Sequence, residues 1–155
     1  MKILIVFDSL YGNTEKIAQA IKEGLSSGNE VTLVRADQAS ANDIEKMDLV
    51  LVGSPTHGGQ FSEAVKNFFK SIPDKGLQGK RAAAFDTGMS KENESGFVKG
   101  VIGFFGYASK RMGKELTKKG ATLTGAETFF VLGKEGPLKE GEIERARQWA
   151  KGLIG

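Results

Sequence analysis

No cysteine occurs among the 155 residues, which removes disulfides, thiolate nucleophiles and the usual zinc-finger ligand sets together. No apolar run approaches the ~20 residues of a membrane span. A single lysine, Lys2, precedes the first hydrophobic run, so the charged segment and small-residue cleavage site of a signal peptide are missing. These absences lead to the expectation of a cytoplasmic protein without a membrane partner. The spellings G-x-x-x-x-G-K-[ST] and G-x-G-x-x-G are also absent, which excludes a P-loop and a dinucleotide fingerprint. No repeat, low-complexity tract or linker divides the chain, and its length suits one domain over residues 1–155. Charge is nearly balanced, 22 Lys+Arg against 19 Asp+Glu with a pI near 9.1, too mild an excess to imply nucleic acid. It is unevenly spread: residues 1–75 hold 8 basic and 10 acidic side chains, residues 76–155 hold 14 and 9. The excess is densest at Lys110, Arg111, Lys114, Lys118 and Lys119, which reads as a solvated helix face.

Against this background the stretch from Lys2 to Thr14 stands out. Ile3, Leu4, Ile5, Val6 and Phe7 form an unbroken apolar run, the pattern of a strand buried on both faces. Ser9, Leu10, Tyr11, Gly12, Asn13 and Thr14 follow at once, and the spacing of Ile17, Ile21 and Leu25 predicts a helix beginning near Asn13 or Thr14. Such a turn aims backbone N–H groups and the positive end of the helix dipole at one point, where a phosphate binds. The hydroxyls of Ser9 and Thr14 add donors. An ordinary turn would use the same residues, with Gly12 for backbone freedom and Asn13 or Thr14 as helix cap.

Further along, Val31 to Val34 read as a second strand after the Gly28-Asn29 turn, and Asp48 to Gly53 as a third. The third ends in a polar loop, Ser54 to Gly59. A helix carrying Phe61, Val65, Phe68, Phe69 and Ile72 follows, capped by Ser62 and closed by Pro73 and Gly76. Arg81 to Phe85 is the fourth strand, ending in the loop Asp86 to Ser90. Boundaries in 91–103 are not set by any pattern. Phe105, Ala108, Met112 and Leu116 mark a helix. Thr122 to Val131 contains the last strand, with Gly125 as a potential break, and Ile143, Ala146, Ala150 and Leu153 stripe a final helix with Trp149. Strands alternating with helices at this rhythm make an α/β fold with a parallel sheet covered on both faces. Ligands in such sheets sit beyond the C-terminal strand ends, where the winding reverses, and three polar, glycine-bearing loops converge there.

These residues resemble the flavodoxin-like proteins over essentially the whole chain, and the specific match is Ser9-Leu10-Tyr11-Gly12-Asn13-Thr14, which is similar to that family's phosphate loop. The resemblance implies an open, doubly wound five-stranded parallel sheet of order 2-1-3-4-5 with FMN at the switch between strands one and three. It assigns Ser9, Tyr11, Gly12, Asn13 and Thr14 to the FMN phosphate. By position and composition it assigns Ser54, Pro55, Thr56, His57, Gly58 and Gly59 to the first isoalloxazine loop, with a Pro55-Thr56 pair similar to flavodoxin-like quinone reductases. Asp86, Thr87, Gly88 and Met89 fall in the second. Neither loop holds the aromatic residues between which flavodoxins commonly place the flavin, so His57 on one face and Met89 or Phe97 on the other stand in for them.

The implied function is FMN-dependent electron transfer through the semiquinone and hydroquinone states to a redox partner protein. The basic bias suits an acidic partner. No metal and no catalytic acid, base or nucleophile is expected. An NAD(P)H-dependent quinone or flavin reductase of the same fold is the alternative, and it needs a second substrate site. A phosphoacceptor receiver would want clustered acids where Asp8-Ser9 and Gly53-Ser54 stand. A cofactor-free interaction domain would make the three loops plain turns. Whether 91–106 covers the flavin or meets another chain is left open by the sequence.

Overall fold

In the computed structural model, which describes residues 1–90 and 107–155, β1 (Lys2–Phe7) pairs in parallel with β2 (Glu30–Arg35) on one side and β3 (Leu49–Pro55) on the other. β4 (Arg81–Met89) and β5 (Thr122–Val131) extend the sheet in the order β2-β1-β3-β4-β5, every pairing parallel. This is the order expected from the sequence. Among the described residues the α-helices are α1 (Asn13–Leu25), α2 (Glu63–Ser71), α3 (Ala108–Lys118) and α4 (Glu142–Ile154). None of the described helices is long and apolar enough to cross a membrane.

Alternate residues of the central strands supply two cores. Leu4, Val6, Val50, Val52, Ala82 and Ala84 face Val65, Phe68 and Phe69 of α2 and Ala108, Met112 and Leu116 of α3. Ile3, Ile5, Phe7, Leu49, Leu51, Ala83 and Phe85 face Ile17 and Ile21 of α1 and Ala146, Ala150 and Leu153 of α4. Continuous apolar runs in β1 and β3 follow from this double coverage, because neither face of these strands meets water. Ser62 caps α2, its Oγ accepting from the Val65 N–H at 3.4 Å. Glu142 opens α4 and is buried; desolvation opposes its charge, but Arg145 and the Phe130 N–H outweigh it and hold the carboxyl below the usual range.

Three boundaries differ from the sequence reading. β3 continues through Ser54 and Pro55, and β4 through Asp86 to Met89, with Ser54 paired to Asp86 and Pro55 to Thr87. Their polarity suggested loops, but the ladder and buried side-chain partners satisfy these groups within the sheet. β5 is not broken at Gly125. It absorbs a one-residue register shift between Ala82 and Ala83, and a Cβ on Gly125 would lie 2.8 Å from Leu153.

Gly53 shows how tightly β3 and β4 are matched. It is the register partner of Phe85, whose ring lies where a Cβ would project, 2.1 Å from its nearest atom. Phe85 is fully buried and meets Trp149 edge-on at 6.5 Å between centroids, so the ring has no vacant space to enter. Gly53→Ala is expected to destabilise the protein by about 1–3 kcal/mol, the range for overpacking a filled core, with Phe85→Leu in the same chain recovering part of it. Denaturant titration of the single and double variants checks this.

Candidate functional site

α1 begins at Asn13 with Gly12 as its N-cap in a left-handed conformation, φ 91°, which a residue with a side chain adopts only with strain. Ser9 performs the capping expected of Asn13 or Thr14: its Oγ accepts from the N–H groups of Gly12 at 3.1 Å and Glu15 at 3.3 Å. Asn13 instead reaches out of the helix, Nδ2 donating to the Glu135 carbonyl at 3.0 Å. The Thr14 and Thr87 hydroxyls are hydrogen-bonded at 2.7 Å, tying α1 to β4. Arg35, at the end of β2, braces the loop from outside. Its Nη2 donates to the Ser9 carbonyl at 3.1 Å, Glu15 and Asp8 lie at 3.4 and 3.7 Å, and the guanidinium stacks over Phe7.

Beyond β3, His57 and Gln60 exchange two backbone hydrogen bonds, at 3.0 and 2.9 Å. Gly58 and Gly59 between them both have positive φ, 55° and 79°, the geometry of a two-residue turn closed by glycines. Thr56 is held to β4 by its N–H, which donates to the Thr87 carbonyl at 2.9 Å. Ser54 is fully buried. Its Oγ donates to the Pro55 carbonyl and accepts from the Ser62 N–H, so it anchors the loop from below. Tyr107 lies across Gly88 and its hydroxyl donates to the Met89 carbonyl at 3.0 Å.

These segments enclose a cleft of about 240 Å³ at the C-terminal edge of the sheet. It brings together Ser9, Tyr11, Asn13 and Thr14 from the first loop, Pro55, Thr56, His57, Gly58 and Gly59 from the second, and Thr87, Gly88 and Met89 from β4. Gly12, Ser54 and Asp86 are not on its wall. Leu10, Tyr107, Val131 and Lys134 are, and the sequence reading did not include them. Tyr107 supplies an aromatic wall that the two loops lack; it follows a glycine-rich stretch that gave no sign of where it would lie. Phe97 and the 91–106 segment lie outside the described residues.

Asp86 points to the α3 side of β4, at 0 % exposure. Desolvation pushes its carboxyl up to about 6 from an ordinary 3.8, against the hydrogen bonds from Thr56, Thr128 and Ser109 that favour the charged form.

A model of the Flavodoxin family matches residues 5–149. A flavodoxin from Aquifex aeolicus (strain VF5) is 37% identical over 91 residues, 56% of this chain and 49% of that protein. One from Clostridium saccharobutylicum is 34% identical over 92 residues, 58% of each. The matched stretch thus spans about half the length of these curated relatives. Among solved structures, oxidised Flavodoxin 2 from Bacillus cereus is 28% identical with a TM-score of 0.73, covering 99% of this chain and 98% of that one. Oxidised Flavodoxin 1 from the same organism, 23% identical with a TM-score of 0.76 over 99% and 97%, shares the fold.

Two outcomes follow from the site's framework. Arg35→Met removes the brace on Ser9; its partners are partly exposed, so the loss of stability should be only about 1 kcal/mol. Amide exchange at Leu10 to Asn13 should accelerate more than in the core strands. For Asp86 the folded state binds the proton more tightly than the unfolded chain does. Its stabilising contribution is therefore complete below the ordinary carboxylate range and is lost as pH rises through about 6. The amount is about 3 kcal/mol. Denaturant midpoints at pH 5, 6 and 7 should rise towards acid in the wild type by the part of this contribution that falls in that window, about 1 kcal/mol, and Asp86→Asn should lack it.

Proposed function

Because the chain belongs to the flavodoxin family, we propose that it binds FMN in the cleft between the α1 loop, the 56–60 turn and the end of β4, and carries electrons between redox partners. The observation that supports this most is the meeting of those three segments where the winding of the sheet reverses, between β1 and β3. The residues there suit the group. The α1 N-terminus, with its first N–H groups lacking intrahelical acceptors, favours a phosphate. Tyr107, Met89, Pro55 and Val131 offer ring and aliphatic surface for a flat ring system, and the backbone of the 57–60 turn offers polar groups along its edge.

FMN supplies the redox chemistry when bound, and the protein supplies binding, orientation and electrostatics. Ser9 holds its loop closed around the helix start. Thr14 and Thr87 fix the floor, and Tyr107, locked by its bond to Met89, shields one side from water. His57 and Lys134 are the basic side chains on the described part of the wall. α3 starts beside the cleft, and Lys110, Lys114 and Lys118 are exposed along it, so an acidic partner approaching there would meet a complementary face. Cytoplasmic residence is part of the same reading.

FMN should bind far more tightly than riboflavin, as read by quenching of flavin fluorescence. Ser9→Ala and Thr14→Ala should each weaken FMN by about 1–2 kcal/mol, the scale of hydrogen bonds serving a charged group, and leave riboflavin less affected. Equal affinity for the two flavins would overturn the assignment of the phosphate to the α1 loop.

A further inference from the structure

Asp86 lies behind the cleft wall and is tied to it through one hydroxyl. Its Oδ2 accepts from Thr56 Oγ1, and that same Oγ1 accepts from the Ala108 N–H at 3.0 Å, in the first turn of α3. Its Oδ1 accepts from Thr128 Oγ1 at 2.7 Å, which lies 3.3 Å from Ser109 Oγ. The hydroxyl and N–H of Ser109 also favour the charged carboxylate. Thr56 is therefore shared between a buried acid, a helix N-terminus and the cleft it borders.

Counting protons gives the consequence. A hydroxyl carries one hydrogen. While Asp86 is ionised, the Thr56 hydrogen is donated inward to it, and Thr56 offers the cleft no donor. When a proton from solvent adds to Oδ2, the new O–H and the Thr56 O–H cannot both occupy the line between the two oxygens. The acid becomes the donor to Thr56 Oγ1, the Ala108 N–H keeps its own place, and the Thr56 hydrogen turns to the side that remains, the cleft. No covalent bond other than the O–H of Asp86 forms or breaks.

We propose that Asp86 is a positioning residue that sets the direction of the Thr56 hydroxyl: ionised, it draws the hydrogen away from the cleft, and protonated, it presents that hydrogen to a ligand there. The role of FMN as that ligand rests on the function proposed above; the coupling of Asp86 to Thr56 does not. The groups that face Asp86 among the described residues are the hydroxyls of Thr56 after β3 and Thr128 on β5, and the hydroxyl and backbone N–H of Ser109 on α3. The ionisable side chains next along those elements are His57 on the cleft wall, Tyr107, Lys110 and Arg111 around the start of α3, and Glu127, which accepts from the Thr128 N–H and pairs with Arg145.

The first arm of the test uses the full chain without flavin and follows the Asp86 carboxyl carbon by NMR across pH. Thr56→Val should move the Asp86 midpoint upward, because the carboxylate loses a donor, and Thr56→Ser should keep the wild-type midpoint. An unchanged midpoint in Thr56→Val overturns the proposal. The second arm measures FMN affinity between pH 5 and pH 8. The wild type should carry a component that tightens binding by about 3- to 10-fold towards acid, the equilibrium counterpart of one added hydrogen bond. That component should vanish in Asp86→Asn and in Thr56→Val and persist in His57→Gln; ionisation of the FMN phosphate contributes equally in every variant. Persistence in Asp86→Asn, or in Thr56→Val, overturns the proposal. Absence of FMN binding in every protein at every pH would remove the cofactor reading, while the carboxyl titration, which needs no Asp86 variant to fold, still decides the coupling.

Discussion

Burial of β1 on both faces is the constraint on which the rest of this molecule depends. A strand whose every side chain from Ile3 to Phe7 is out of water needs helices above and below and strands on either edge. Parallel neighbours need crossover connections. With β2 on one side of β1 and β3 on the other, the chain must reverse its winding between them, and the helices that follow β1 and β3 pack on opposite faces. The loops leaving those two strands therefore diverge, and a cleft opens at their shared end. Its location is a product of the hydrophobic core before any polar residue is considered.

The polar residues then take their positions from the strands. Because β3 and β4 run two to four residues past the apolar core, Ser54, Asp86 and Thr87 are held by the sheet ladder, and the strand alternation sorts them. Thr87 lies on the cleft wall, while Asp86 points to the α3 side, where Thr56, Thr128 and Ser109 enclose it. Neighbours in sequence thus serve opposite sides of one strand.

The strands and the four described helices were legible because their signals are local and strong: apolar runs for the double-covered strands, helical spacing for the helices. The order of the strands came only with the resemblance to the flavodoxin-like proteins. The 9–14 loop was legible because its hydroxyls, glycine and asparagine sit between an unmistakable strand and helix. The extension of β4 was not, since Asp86-Thr87-Gly88 has the composition of a turn and its partners come from Thr56, 30 residues away, and Thr128, 42 residues away. Arg35, Tyr107 and Lys134 were missed for the same physical reason. Each reaches the site from the end of a different element, and nothing in its own neighbours shows what it will touch. The cap of α1 is a finer case: the sequence offered Asn13 or Thr14 for it, but the oxygen that accepts the N–H groups of Gly12 and Glu15 is that of Ser9, which stands outside the helix and carries no helical signal of its own.

Asp86 gives the strongest sign that this end of the sheet is shaped by something besides stability. The apolar residues below it in β4, Ala82 and Ala84, face the same way and fill their places without polar atoms. An apolar residue at 86 would avoid the desolvation of a carboxylate, and replacing both partners of a buried polar contact by well-packed hydrophobes is often neutral or stabilising. The acid instead needs three hydroxyl-bearing residues and a helix N-terminus to satisfy it. Thr128 on β5 and Ser109 on α3 are not on the cleft wall, and of the three hydroxyls only that of Thr56 belongs to a residue that also lines it. A polar network in that arrangement fixes α3 and the β3 loop relative to one another and leaves one member, at the cleft, whose hydrogen can point either way. Departures from core-forming chemistry that gather at a cleft are the ones expected of a working site, and here the departure is anchored to the same strand end that supplies Thr87, Gly88 and Met89 to the wall.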